Sequence, residues 1–163
     1  MKLHADRRET GFTLVELMVA LAIVTIAVGL AMPNYLQWHA QSQLRQATSE
    51  IATQLTIARM AAMNRNRSVD VTVQSSGGAV HVSAVTSSSG VPVIKDTPLQ
   101  SRATSVVGSP ITVSFSSMGT RTSGGTGVQT IGVCDASKRQ YAVTVIPTGK
   151  VNWSTASSAT PCP

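Results

Sequence analysis

Acidic groups are scarce in this chain: seven Asp and Glu among 163 residues, against thirteen Lys and Arg. Charged residues of both signs make up only 12%, and aromatics 4%. So little charge excludes a coiled coil, whose flanking positions need it, and excludes a highly charged disordered chain. Histidine occurs three times, at His4, His39 and His81, never near another, and the two cysteines lie far apart. No metal-ligand spacing results. There is no plausible Ser/His/Asp set, no pair of carboxylates and no phosphate loop. Gly124-Gly125-Thr126-Gly127 is Gly-rich, but no Lys follows it and no strand-to-helix context surrounds it, so it reads as a flexible loop. The inventory points away from an enzyme and calls for no metal and no cofactor.

What is present is unevenly distributed. Residues 12–32 read FTLVELMVALAIVTIAVGLAM. At about 1.5 Å per residue this helix spans roughly 30 Å, the thickness of a bilayer core. Glu16 breaks the apolar pattern in the first turns, and a carboxylate there needs a partner or a path to water. Lys2, Arg7 and Arg8 precede the run, which places the N-terminus in the cytoplasm and the bulk after Pro33 on the far side of the membrane. A cleaved secretory signal and a plain single-pass anchor are the ordinary readings of such a segment, and neither explains Glu16. Residues 65–163 hold eight basic and three acidic groups, so most of the net charge of +6 lies there. A basic head attracts polyanions, although the same charge also keeps a low-charge protein soluble.

Gly11-Phe12-Thr13-Leu14-Val15-Glu16 resembles the class III signal of type IV pilins and type II secretion pseudopilins. The resemblance implies cleavage by a prepilin peptidase after Gly11 and N-methylation of Phe12. It also implies an assembly role for Glu16, whose carboxylate pairs with the N-terminal amine of a neighbouring subunit. Pro33 suits the depth at which such helices bend or locally melt.

Beyond Pro33 the helical period resumes. Leu44, Ala47, Ile51, Leu55, Ala58 and Ala62 form one apolar stripe, with Gln41, Arg45, Thr48, Thr53 and Arg59 elsewhere around the helix, and the pattern fades near Asn64 to Arg67. Tyr35 and Trp38 fall where interfacial aromatics belong. From Val69 the period becomes two. Strands are expected at 69–74, 79–86, 111–116, 128–134 and 141–146, with a short edge strand at 91–94 limited by Pro92 and a further one at 151–153. The segment Ile51 to Val73, Phe115 followed by Gly119, and the closing run from Cys134 resemble the GspH/FimT group within the pilins. That resemblance implies an α+β fold: a long N-terminal helix whose second half packs on an antiparallel sheet. The expected organisation is a leader at 1–11, a transmembrane and assembly helix at 12–33, an amphipathic helix at 34–67 and a β-rich head at 68–163.

Export of the head permits a Cys134–Cys162 disulfide, which would pin a Ser/Thr/Pro tail; two free thiols, or a metal site short of ligands, are the alternatives. Cysteines at these places resemble FimT/FimU minor pilins more than secretion pseudopilins. Some FimT-type pilins bind DNA through a Gly-Arg-x-Arg motif near the C-terminus. The matching stretch here, Gly149-Lys150-Val151-Asn152, keeps one charge and loses the guanidinium fork. Lys138 and Arg139 on the preceding turn are expected to supplement Lys150. The expectation is therefore a minor pilin of a type IV pilus, held in the bacterial inner membrane with a periplasmic head before it enters the filament. Its partners would be other pilins, the prepilin peptidase, the membrane and double-stranded DNA. A type II secretion pseudopilin is the alternative.

Overall fold

The computed structural model describes residues 12–100, 103, 105–135, 137–155 and 162, apart from the side chains of Leu30, Ala31, Pro33 and Asn34. Gly11 and the rest of the expected leader lie outside these residues. One α-helix, α1 (Leu14–Arg65), carries the first third of the chain, and its helical assignment runs through Pro33 without a break. The chain divides into two compact units at Trp38/His39.

Among the described residues eight strands follow the helix: β1 (Val69–Ser76), β2 (Ala79–Thr86), β3 (Pro92–Pro98), β4 (Ser105–Val106), β5 (Ile111–Phe115), β6 (Gln129–Cys134), β7 (Gln140–Val145) and β8 (Val151–Thr155). They form two four-stranded antiparallel sheets, ordered β3-β2-β1-β5 and β4-β6-β7-β8. The expected strands are present. The two-residue β4 is additional, too short to carry a period. As Pro92 requires, β3 sits at a sheet edge, and its pairing with β2 is irregular around Ala84.

The stripe expected on the helix is the spine of the core. Leu44, Ala47, Ile51, Leu55, Ala58 and Ala62 are fully buried and cluster with Val69, Val71, Val73 and Phe115 of one sheet and Ile131, Val133, Tyr141 and Val143 of the other. Thr48, assigned to the polar face by its residue type, is fully buried as well. Its hydroxyl donates to the Leu44 carbonyl at 2.8 Å, so its polar group is satisfied within the helix. The helix ends in a Schellman motif. Asn66, at φ 50°, takes the left-handed position, Arg67 N–H donates to the Ala62 carbonyl and Asn66 N–H to that of Met63.

A single disulfide joins Cys134 at the end of β6 to Cys162, with Cα atoms 6.0 Å apart. Closing a loop with a sequence separation of 28 stabilises the fold by about 3–4 kcal/mol on a chain-entropy account.

The Gly-rich segment is not a free loop. Arg121, 6% exposed, directs its guanidinium into it, donating to the carbonyls of Ser123, Gly125 (3.0 Å) and Gly127 and to Gln129 Oε1 (3.3 Å). Four acceptors on one buried cation fold the loop around it. Replacing Arg121 with Met is expected to destabilise the protein by about 2 kcal/mol, since the freed carbonyls recover hydration but the order of the loop is lost. Thermal unfolding measures the first effect. New protease cleavage between Thr122 and Val128 reports the second, and an unchanged digest would refute the assignment.

Candidate functional site

Two groups of residues are candidates: the helix before Trp38 and the basic turns of the head. On the first, every large apolar side chain described from Phe12 to Val28 is exposed, from 53% at Val19 to 78% at Phe12. Glu16 lies in the first turn of α1, on the same exposed segment. Tyr35 and Trp38 are also exposed, with ring centroids 6.3 Å apart. Among the described residues, no helix is long and apolar enough to cross a membrane. The apolar run includes Leu30 and Ala31, whose side chains are not described, so the expected span rests on the sequence pattern alone.

The basic turns do not converge. Lys138 and Arg139 lie on the β6–β7 turn and Lys150 on the β7–β8 turn, at opposite ends of β7. Six residues of strand separate those ends by about 20 Å. The helix gives the same span independently. Arg45 bonds to Tyr141 near the first end and Arg59 to Thr148 at the second, which places them about 21 Å apart along α1. The expectation that Lys138 and Arg139 supplement Lys150 is therefore corrected.

Arg139 is also engaged. Its Nε lies 3.0 Å from Asp135 Oδ2, while Asp135 Oδ1 accepts the Ser137 and Arg139 amides at 2.9 Å each. The carboxylate closes this turn and offsets one of its two positive charges. Lys138, at φ 58°, and Lys150 are exposed.

Two contacts between helix and sheet were not legible in the sequence. At the end of the head near Lys150, Arg59 Nε donates to the Gly119 carbonyl at 2.8 Å and its Nη2 to the Thr148 carbonyl at 3.2 Å. Both Gly119 and Gly149 have positive φ, and a Cβ on Gly149 would overlap the Gly119 carbonyl oxygen. Only glycine lets these turns meet under Arg59. At the other end, the buried Tyr141 hydroxyl accepts from Arg45 Nε at 2.8 Å and from Gln41 Nε2 at 3.3 Å. A positive φ at the glycines could have been suspected from the turns; their pairing through Arg59 could not.

With this geometry in hand, similarity to known proteins decides the family. A family model described as the prokaryotic N-terminal methylation motif matches residues 6–32, and one described as type II transport protein GspH matches residues 47–149. The second match takes in more than half of the chain. The chain belongs to the GspH family. Two Pseudomonas aeruginosa proteins, each called fimbrial protein, are 38% identical to it over 55 residues, 34% of this chain and 36% of theirs. The chain thus matches about a third of the length of those relatives. The crystal structure of the type IV minor pilin FimU from Pseudomonas aeruginosa shares its fold, with a TM-score of 0.52 and 16% identity over 75% of this chain and 94% of that one. The family and fold are those of pilin structural proteins. In this GspH-family chain the match ends at Gly149, so it takes in Arg59, Phe115 and Gly119 and stops one residue before Lys150.

Burial raises the pKa of Tyr141, but the hydrogen bonds from Arg45 and Gln41 and the charges of Arg45 and Arg139 outweigh it, holding the phenol below its ordinary value. As pH rises through the folded pKa toward 10, the folded state ionises first and gains stability from this residue; that gain is lost as pH falls back. Ultraviolet titration should show Tyr141 ionising before a model tyrosine, and Arg45→Met should move its midpoint upward. A midpoint indifferent to Arg45 would contradict the assignment.

Proposed function

We propose that this chain is a minor pilin of a type IV pilus. Prepilin peptidase removes residues 1–11, the apolar segment 12–33 holds the subunit in the inner membrane with its head in the periplasm, and the same segment then enters the filament. The observation that carries the reading is the helix before Trp38, whose described apolar side chains nothing within its own compact unit covers. Left in water, that surface costs about 25 cal/mol for each Å² exposed. Lipid covers it before assembly and neighbouring helices after it, and small residues such as Ala20, Ala22 and Gly29 let helices approach closely. Glu16 is the one charge on this surface, and the amine of a neighbouring Phe12 is its natural counter-ion.

The family description favours a second machine, a type II secretion pseudopilus built on the same principles. The fimbrial relatives and the FimU-like fold weigh toward the pilus, and we adopt that reading. Capture of double-stranded DNA finds less support. Its three expected contacts fall at two ends of β7, and one of them already neutralises Asp135.

Gly11→Val is expected to block cleavage and leave a longer chain in the membrane. Glu16→Ala is expected to be cleaved normally yet fall at least tenfold in sheared filaments, because the unpaired amine of its neighbour is then buried without compensation. Immunoblots of membrane and sheared fractions read both effects. Parental amounts of both variants in the filament fraction would overturn the pilin reading. Loss of protein secretion with intact pili would transfer it to the secretion machine.

A further inference from the structure

The two sheets end in strands β3 and β5 on one and β4 and β8 on the other. Three of these edges are blunted. Strand β3 carries Pro92, Lys95, Asp96 and Pro98, and its register against β2 is broken. Strand β5 is covered by the segment that follows it: Thr122 N–H donates to the Ser114 carbonyl, and Ser123 Oγ accepts the Ser114 amide. Strand β4 has two residues, and its Val106 amide donates to Ser75 Oγ. Strand β8 has none of these devices. It reads Val-Asn-Trp-Ser-Thr, without charge or proline, pairs with β7 in unbroken register, and leaves Asn152, Trp153, Ser154 and Thr155 exposed.

Ile146 N–H donates to the Lys150 carbonyl, and Thr144 Oγ1 to that of Asn152. The main-chain groups at positions 150, 152 and 154 therefore face β7. By alternation, those of Val151, Trp153 and Thr155 point to the open edge. The disulfide carries Cys162 to β6, on the other side of β7 from this edge. A shallow groove runs beside the edge. Trp153, 44% exposed, forms one side, and Ser49, Thr53, Thr56, Ile57 and Met60 of α1 form the other. No charged side chain lines it. Its two ends are positive: Lys150 precedes β8, and Arg45 bonds to Tyr141, the strand partner of Thr155.

We propose that β8 is a docking edge for an extended segment of another polypeptide, which pairs antiparallel with β8, sets apolar side chains beside Trp153 and carries acidic residues at both ends. Unpaired amides and carbonyls in a row recognise a backbone. Side chains opposite Val151, Trp153 and Thr155 share their face of the sheet. That face looks toward the core, because Tyr141, Val143 and Val145 across β7 are buried. The uncharged groove keeps charge out of the middle of the segment, and the cations at its ends favour acids there. Strand β8 of a second copy does not fit this description, since its own Lys150 would meet the positive ends. The inference concerns the head alone and does not rest on the pilin reading.

The test uses the full-length chain in detergent micelles and a synthetic peptide, Asp-Asp-Val-Thr-Val-Thr-Val-Asp-Asp, whose valines fall opposite Val151, Trp153 and Thr155. Fluorescence anisotropy reads binding, and amide hydrogen exchange reads its place. Exchange is expected to slow at Val151, Trp153 and Thr155 and to stay unchanged at Asn152 and Ser154, whose amides already face β7. N-methylation of the central valine is expected to weaken binding about tenfold, as the loss of a main-chain hydrogen bond does. N-methylation of a threonine, whose amide faces away from β8, should leave binding unchanged. Trp153→Lys, which brings charge into the groove, should weaken it about as much as the first methylation. Replacing the aspartates with lysines should weaken it too. The methylated peptides act on the parental protein, so the result does not depend on a variant folding. Failure of the acidic peptide to bind, slowed exchange at Asn152 and Ser154 instead, or equal effects of the two methylations overturns the proposal.

Discussion

Six helix side chains, Leu44, Ala47, Ile51, Leu55, Ala58 and Ala62, leave no accessible surface between α1 and the strands behind it. Three of the six are alanines, which bring the helix backbone close to the sheets and leave little room for anything larger. Both sheets bury their inner faces against this one stripe. The polar groups near it are then constrained, because a buried donor or acceptor without a partner costs roughly 1–3 kcal/mol. Thr48 turns back to its own helix. Arg59 spans the Gly119 and Thr148 carbonyls at one end of the head, and Arg45 with Gln41 holds the Tyr141 hydroxyl at the other. The two arginine contacts lock the register of helix against sheet about 21 Å apart, so neither end can slide without breaking one of them.

Local periodicity made the helix stripe and most strands readable, because each is set by neighbours within a few residues. A 3.6-residue period selected Leu44 to Ala62, and alternation selected Val69, Val71 and Val73. The helix stop near Asn64 to Arg67 was equally local, since Asn tolerates the left-handed position that Asn66 occupies. What stayed hidden depends on contacts across long sequence distances. The strand β4 has two residues and exists because β6 offers it an edge. Arg121 carried no local signal of its role, yet it sits under the Gly-rich loop and organises it. Tyr141 showed no sign of its partners on the helix, about a hundred positions away.

The basic turns show how sequence proximity misleads in a β-hairpin. Lys138, Arg139 and Lys150 lie within thirteen positions, and successive hairpins put alternate turns at opposite ends of a sheet. A separation of about 20 Å exceeds the Debye length of roughly 8–10 Å at physiological salt. The two turns therefore present two separate charges rather than one patch. Asp135 reduces the first further, since a carboxylate 3.0 Å from Arg139 offsets its field at any distance beyond the turn. The net positive charge of the C-terminal region is real, but it is dispersed.

The two units of this chain obey different rules, and the difference explains why they were legible to different degrees. The head buries its apolar residues within itself, so its sequence is written for a core and alternates accordingly. The helix before Trp38 is apolar on all its described faces, and each of its described large apolar side chains is more than 50% exposed. A helix apolar all round is specified by whatever surrounds it, and here nothing in its own unit does. Its sequence is therefore read from chemistry at single positions rather than from period: the small residues that permit close approach, the lone carboxylate of Glu16, and Thr13 holding the first turn. In an apolar surrounding a charge on such a surface persists only where it gains a partner. The placement of Glu16 three residues beyond Thr13, which accepts its amide, ties that charge to the helix start.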